Sequence, residues 1–76
     1  MEDVLATVAA NVRRLRHERS LTQDALAERA SMDASELRRI ESARREPGVR
    51  VLARLAHGLE VHPGELFEGV SWRTRR

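Results

Sequence analysis

Apolar positions recur at intervals of three and four along most of the chain, the spacing of one face of an α-helix. Leu5, Val8, Val12 and Leu15, with Ala9 beside them, predict a first helix over about residues 3–17, with Arg13, Arg14 and Glu18 on its solvated side. Thr22 heads a second run: its hydroxyl suits a helix cap, Asp24 suits the positive helix start, and Leu21 with Leu26 makes a hydrophobic staple. This helix is short and ends near Ala30. The same grammar returns at Asp33, with Glu36 placed to complete a capping box and Met32 and Leu37 to staple a third helix over about residues 34–42. Only Ser31 and Met32 lie between one helix and the next cap, so helices 2 and 3 must pack at a steep angle with Leu26, Leu37 and Ile40 meeting inside.

Pro47 makes residues 43–48 a loop. Val51, Leu52, Leu55, Ala56 and Leu59 then mark a fourth helix behind Gly48, a weaker cap than serine. Pro63 suits the first position of a fifth, short helix stapled by Val61 and Leu66, with Phe67 expected to plug the core. The fold expected is all-α: a compact five-helix bundle over residues 1–69 in which helices 2 and 3 form a helix-turn-helix. Residues 70–76 read as a short basic tail that leaves Trp72 unaccounted for.

Composition narrows the functions open to such a bundle. Seventy-six residues suit one small domain, and ten of the apolar residues are alanine, which favours closely packed short helices over a sheet around a pocket. No cysteine is present, so disulfides and thiolate metal sites are excluded, and His17, His57 and His62 do not form a recognised metal spacing. No cofactor is expected. Phe67 and Trp72 are the only aromatics, too few for a stacking surface. The apolar runs are too short to span a membrane, and acidic Glu2 and Asp3 stand where a signal peptide would be basic, so a cytoplasmic, nucleoid-associated protein is expected.

Charge distribution says more than net charge. All fourteen basic side chains are arginine, and the formal balance is only +2. Residues 38–54 nevertheless hold six arginines against two glutamates, while residues 20–37 and 59–69 each sum to −3. One basic face and an acidic back are implied. On a helical wheel Ala34, Ser35, Arg38 and Arg39 share an arc of about 140°, with Leu37, Ile40 and Glu41 opposite. An Arg-Arg pair on a short helix is by itself ordinary solvated surface. Following a short helix and a tight turn, it becomes a helix with a slim leading end and long donors behind it, as entry into a DNA major groove requires. Arginine suits guanine O6 and N7, serine a base edge or phosphate, and alanine a thymine methyl. Thr22 and Gln23 lie where helix 2 starts and favours phosphate, and Arg44, Arg45 and Arg50 are placed for flanking backbone.

Taken together, Val12-Arg13-Arg14-Leu15-Arg16, Glu18-Arg19-Ser20-Leu21-Thr22-Gln23, Leu26-Ala27, Leu37-Arg38-Arg39-Ile40-Glu41, Arg44-Arg45-Glu46-Pro47, Leu55-Ala56 and Val61-His62-Pro63-Gly64-Glu65-Leu66-Phe67 resemble the Cro and lambdoid-repressor (Xre-type) helix-turn-helix family. The resemblance runs from Val8 to Phe67. It implies a lambda-repressor-like bundle that binds double-stranded, palindromic operator DNA as a homodimer. It also implies base reading by Ala34, Ser35, Arg38 and Arg39, phosphate contact by Gln23, and a structural pair between Arg16 and Glu41. Ser31, Ala43 and Glu60 stand where the family often has glycine, or for the last glycine or asparagine, and Gly48 stands where it has a small hydroxyl cap.

The function expected is therefore a sequence-specific transcriptional regulator, a dimeric repressor or autoregulatory controller. A protein-interaction or antitoxin-like component on the same scaffold is the alternative, to which acidic Glu60, Glu65 and Glu68 would suit a protein partner. An enzyme is not expected: Glu41 with His17 or His57 is no defined catalytic constellation, and so small a helical chain has little room for a pocket.

Overall fold

A computed structural model describes residues 3–72. Four α-helices, α1 (Val4–Glu18), α2 (Gln23–Arg29), α3 (Ala34–Glu41) and α4 (Val49–Leu59), are followed by a short 3-10 helix, Pro63–Phe67. The core is built from the stripes: Val8, Val12 and Leu15 of α1, Leu26 and Ala27 of α2, Leu37 and Ile40 of α3, and Leu55, Ala56 and Leu59 of α4, closed by Leu66. Leu26, Leu37 and Ile40 are fully buried and meet as the tight α2–α3 turn requires. Leu5 is only half-buried, and Val4 joins the partly buried residues packed on the core.

Three local expectations are corrected. The fifth helix is a 3-10 turn rather than an α-helix. Glu65 N bonds to His62 O at 2.9 Å and Glu68 N to Glu65 O at 3.3 Å, the three-residue repeat of that geometry. A five-residue segment opening on Pro63-Gly64 has too little helix propensity to extend further. Second, Phe67 does not plug the core. It is 44% exposed, while Leu66 is buried. With successive side chains about 120° apart, turning Leu66 inward swings Phe67 to the rim. Third, Asp33 makes no side-chain cap bond and the box with Glu36 does not form. The Glu36 carboxylate instead accepts from Arg45 Nε at 3.3 Å, a charged donor in place of a neutral amide. A capping box does form around His62, whose Nδ1 accepts from Gly64 N at 3.0 Å while Glu65 Oε2 accepts from His62 N at 3.3 Å.

Each of the four α-helices among the described residues ends in the same backbone motif, and in none of them is glycine at the left-handed position. Ser20, Ser31, Ala43 and Glu60 take φ of 55°, 55°, 59° and 58°. In each case the paired closing bonds of a Schellman motif are present, for example Ala43 N to Ile40 O at 3.0 Å and Arg44 N to Arg39 O at 2.9 Å. After α1, α2 and α4 the next residue is Leu21, Met32 or Val61, packed on the core. After α3 it is the exposed Arg44.

A long-range tie fixes the end of the bundle. Asn11, buried in α1, donates through Nδ2 to the carbonyls of Leu66 and Glu68, each at 2.9 Å. Val70 still packs on the core, and Trp72 is 71% exposed. Arg73, Arg75 and Arg76 of the expected basic tail lie outside the described residues. No helix among the described residues is long and apolar enough to cross a membrane.

Candidate nucleic-acid interface

The position of α3 is set by one buried carboxylate. Arg16 Nε donates to Glu41 Oε2 at 2.7 Å and Arg16 Nη2 to Glu41 Oε1 at 3.0 Å, a bidentate pair of nearly buried side chains. Arg16 Nη1 donates to Leu21 O at 2.9 Å, in the turn before α2. Gln23 Nε2, at the first residue of α2, donates to the same Glu41 Oε1 at 3.0 Å. Arg13 Nη1 donates to the Glu41 carbonyl. The last residue of α3 thus gathers α1, the α1–α2 turn and the start of α2 into one polar cluster. Among the described residues no buried side-chain nitrogen or oxygen lacks a hydrogen-bond partner, so the cluster carries no unpaired charge.

Held in this way, α3 turns Leu37, Ile40 and Glu41 inward and leaves Ser35, Arg38 and Arg39 exposed. Ala34 is half-buried and packs against the core, so the slim leading edge is presented by Ser35 with the Ala34 methyl partly behind it. Thr22 is exposed. Its hydroxyl oxygen accepts from Ala25 N at 3.0 Å and keeps an O–H to donate outward. Gln23 has one amide hydrogen engaged with Glu41, and the second remains.

The two helices of the pair meet on this face. Arg38 Nη1 lies 3.9 Å from Asp24 Oδ1 of the first turn of α2. Arg45, from the loop after α3, lies against Glu36 in the first turn of α3. Arg39, Arg44 and Arg50 are exposed, and their side chains make no hydrogen bond or ion pair among the described residues. Arg50 stands in the first turn of α4. What results is a surface of arginines, a hydroxyl or two and an amide, able to donate hydrogen bonds to phosphate oxygens and base edges.

Arg13 is exposed, as its place on the solvated side of α1 predicts, but sequence reasoning missed its bond to the Glu41 carbonyl and the pairing of Asp24 with Arg38. The only sequence signals were the three-residue step from Arg13 to Arg16 and the position of Asp24 beside Gln23.

Residues 7–68 match the family model described as a helix-turn-helix domain. Among solved structures, the restriction-modification controller protein C.AhdI from Aeromonas hydrophila is 30% identical over 83% of this chain and 96% of its own, with a TM-score of 0.81. The wild-type controller protein C.Esp1396I is 28% identical over 90% of this chain and 88% of its own, also at 0.81. A hypothetical transcription factor, NHTF, from Neisseria is 25% identical over 86% of this chain and 75% of its own, at 0.82. No curated protein sequence matches significantly. The matched span reaches from the first turns of α1 past the 3-10 helix and takes in the whole Arg16–Glu41 cluster and the exposed face of α3, and the chain belongs to the Cro and lambdoid-repressor (Xre-type) helix-turn-helix family.

Proposed function

We propose that this protein is a sequence-specific double-stranded DNA-binding transcriptional regulator of the repressor or autoregulatory controller kind. The observation that carries the reading is the exposed Ser35–Arg38–Arg39 face of α3, set at a fixed angle by the Glu41 cluster. Arg38 and Arg39, with Ser35 and the Ala34 methyl, read base edges in the major groove. Thr22, Gln23, Arg44, Arg45 and Arg50 hold flanking phosphates and set the register. The role of restriction-modification controller, borne by two of the similar structures, is the regulatory role proposed for this chain.

The binding unit is residues 1–69, acting as a homodimer on a palindromic operator. Two copies place their α3 helices about 34–36 Å apart in successive major grooves. Val49, 84% exposed, Trp72 and the groove lined by Val4, Leu5, Pro47, Leu52 and Phe67 are the apolar surfaces open to such a dimer. The mechanism is occupancy: bound at a promoter, the dimer competes with polymerase or contacts it. A cytoplasmic, nucleoid-associated location goes with that work.

Selection from random duplexes with the purified protein, then titration of the enriched duplex at several salt concentrations, tests the reading. A palindromic product with half-sites one helical turn apart is expected, together with sedimentation of two protomers per duplex. Binding that ignores sequence at every salt concentration overturns it.

A further inference from the structure

Resting on the DNA-binding reading, we infer that Asp24 and Glu36 are specificity-determining residues: each holds a DNA-facing arginine in the free protein, Asp24 holding Arg38 and Glu36 holding Arg45, and so suppresses binding to DNA of the wrong sequence. Arg38 Nη1 stands 3.9 Å from Asp24 Oδ1, and Arg45 Nε stands 3.3 Å from Glu36 Oε2. Asp24 follows Gln23 in the chain and Glu36 follows Ser35, so each carboxylate is carried by a helix of the proposed contact surface. Neither acts as a side-chain cap: α2 is capped by the Thr22 hydroxyl, and the Glu36 carboxylate is on Arg45 rather than on the backbone of Asp33. Both lie in first helical turns, where the dipole favours acid, but neither is occupied by a capping bond.

The consequence follows from what each arginine must give up. An arginine that moves from its carboxylate to DNA leaves that carboxylate unpaired next to a line of phosphates, where like charges repel. At the correct operator the loss is offset for Arg38 by a directional, bidentate bond to a base, and for Arg45 by a phosphate contact held in the register that base reading sets. On a wrong sequence Arg38 gains at most a phosphate contact and Arg45 one outside that register, and the stranded carboxylate weighs against each. The two carboxylates therefore tax non-specific complexes more than specific ones. Both pairs are solvent-exposed on the arginine side, so the effect is modest and fades as salt screens it.

The test compares wild type, Asp24→Asn, Glu36→Gln and the double variant on the selected operator duplex and on a scrambled duplex of equal length, at low and at moderate salt. Glu28→Gln is the control, since it removes an exposed carboxylate of α2 that pairs with no arginine among the described residues. Urea unfolding of each variant confirms that the fold is kept. Each of the two single substitutions is expected to tighten scrambled-duplex binding about two- to fivefold, and operator binding less, with the difference shrinking at higher salt. Equal tightening on both duplexes, or the same change from Glu28→Gln, overturns the inference by showing a net-charge effect alone. Discrimination that survives both substitutions unchanged overturns it while leaving the DNA-binding reading intact. A wild type that does not discriminate removes that reading, and the inference with it.

Discussion

Arg16 and Glu41, twenty-five residues apart in the chain, are joined by two parallel hydrogen bonds of 2.7 and 3.0 Å with almost no access to solvent. Such a pair is weak evidence of added stability, because desolvation offsets most of the attraction, but removing one partner strands a buried charge. Glu41→Ala is expected to cost about 3–5 kcal/mol in urea unfolding, and Arg16→Ala a similar amount. Arg16→Met with Glu41→Leu is expected to cost less than the two single losses combined, since no charge is then left alone. A loss below about 1 kcal/mol for Glu41→Ala would mean that water reaches the carboxylate freely.

The non-glycine residues that close the helices make a second expectation. Ala43 and Ser31 sit at φ of 59° and 55°, where a Cβ costs about 1–2 kcal/mol. Glycine removes that strain and gives back about 0.5–1 kcal/mol in unfolded-chain entropy. Ala43→Gly and Ser31→Gly are each expected to raise stability by about 0.5–1 kcal/mol and Tm by a few degrees. Differential scanning calorimetry checks this, and a lowered Tm for either variant contradicts it.

Gly58 behaves in the opposite way. It lies inside α4, where alanine is ordinarily better by about 1 kcal/mol. Here, however, α4 approaches α2 so closely that an added Cβ would sit 3.0 Å from Leu26 Cδ1, 3.2 Å from Arg29 Cβ and 3.3 Å from Ala30 N. The leucine tip can move aside, but the Ala30 backbone cannot do so without shifting the end of α2. Gly58→Ala is expected to destabilise by about 1–3 kcal/mol despite its better helix propensity, read by thermal melting.

Much of this fold is written locally. Leu26, Leu37 and Ile40 announce two packed helices through their spacing, and Thr22 and Pro63 mark starts that the structure keeps. Ser31, Ala43 and Glu60 stand where the family resemblance expects glycine or, at Glu60, asparagine, and all three take the left-handed conformation that glycine would have served. What local pattern does not hold is the choice among competing partners. Glu36 has the spacing of a capping residue, yet Arg45, nine residues on, offers it a charged donor. Arg13 faces solvent on a helical wheel, yet its guanidinium reaches across to the last carbonyl of α3. The Arg16–Glu41 pair came only with the family resemblance, because nothing in either residue's neighbourhood in the chain points to the other. Phe67 is at the rim for a smaller reason: it follows Leu66 directly, and successive helical side chains about 100–120° apart do not both enter the core.

At the proposed interface, Arg39 and Arg44 separate reading from holding. Both side chains are exposed and without a hydrogen bond or ion pair among the described residues, but Arg39 lies on the outer arc of α3 whereas Arg44 follows its closing turn. Arg39→Ala is expected to cost about 1–3 kcal/mol on the selected duplex and to relax preference at one base pair of each half-site, because a base-edge bond is lost. Arg44→Ala is expected to weaken all duplexes alike and to flatten the dependence of log K on log salt by about one unit per protomer, because a phosphate neutraliser is lost. Titration of both variants against the selected duplex and single-base-pair substitutions of it, at a series of salt concentrations, distinguishes the two. Were Arg39→Ala to weaken every duplex equally, the outer arc of α3 would be holding backbone, and base reading would have to lie with Ser35 and Arg38.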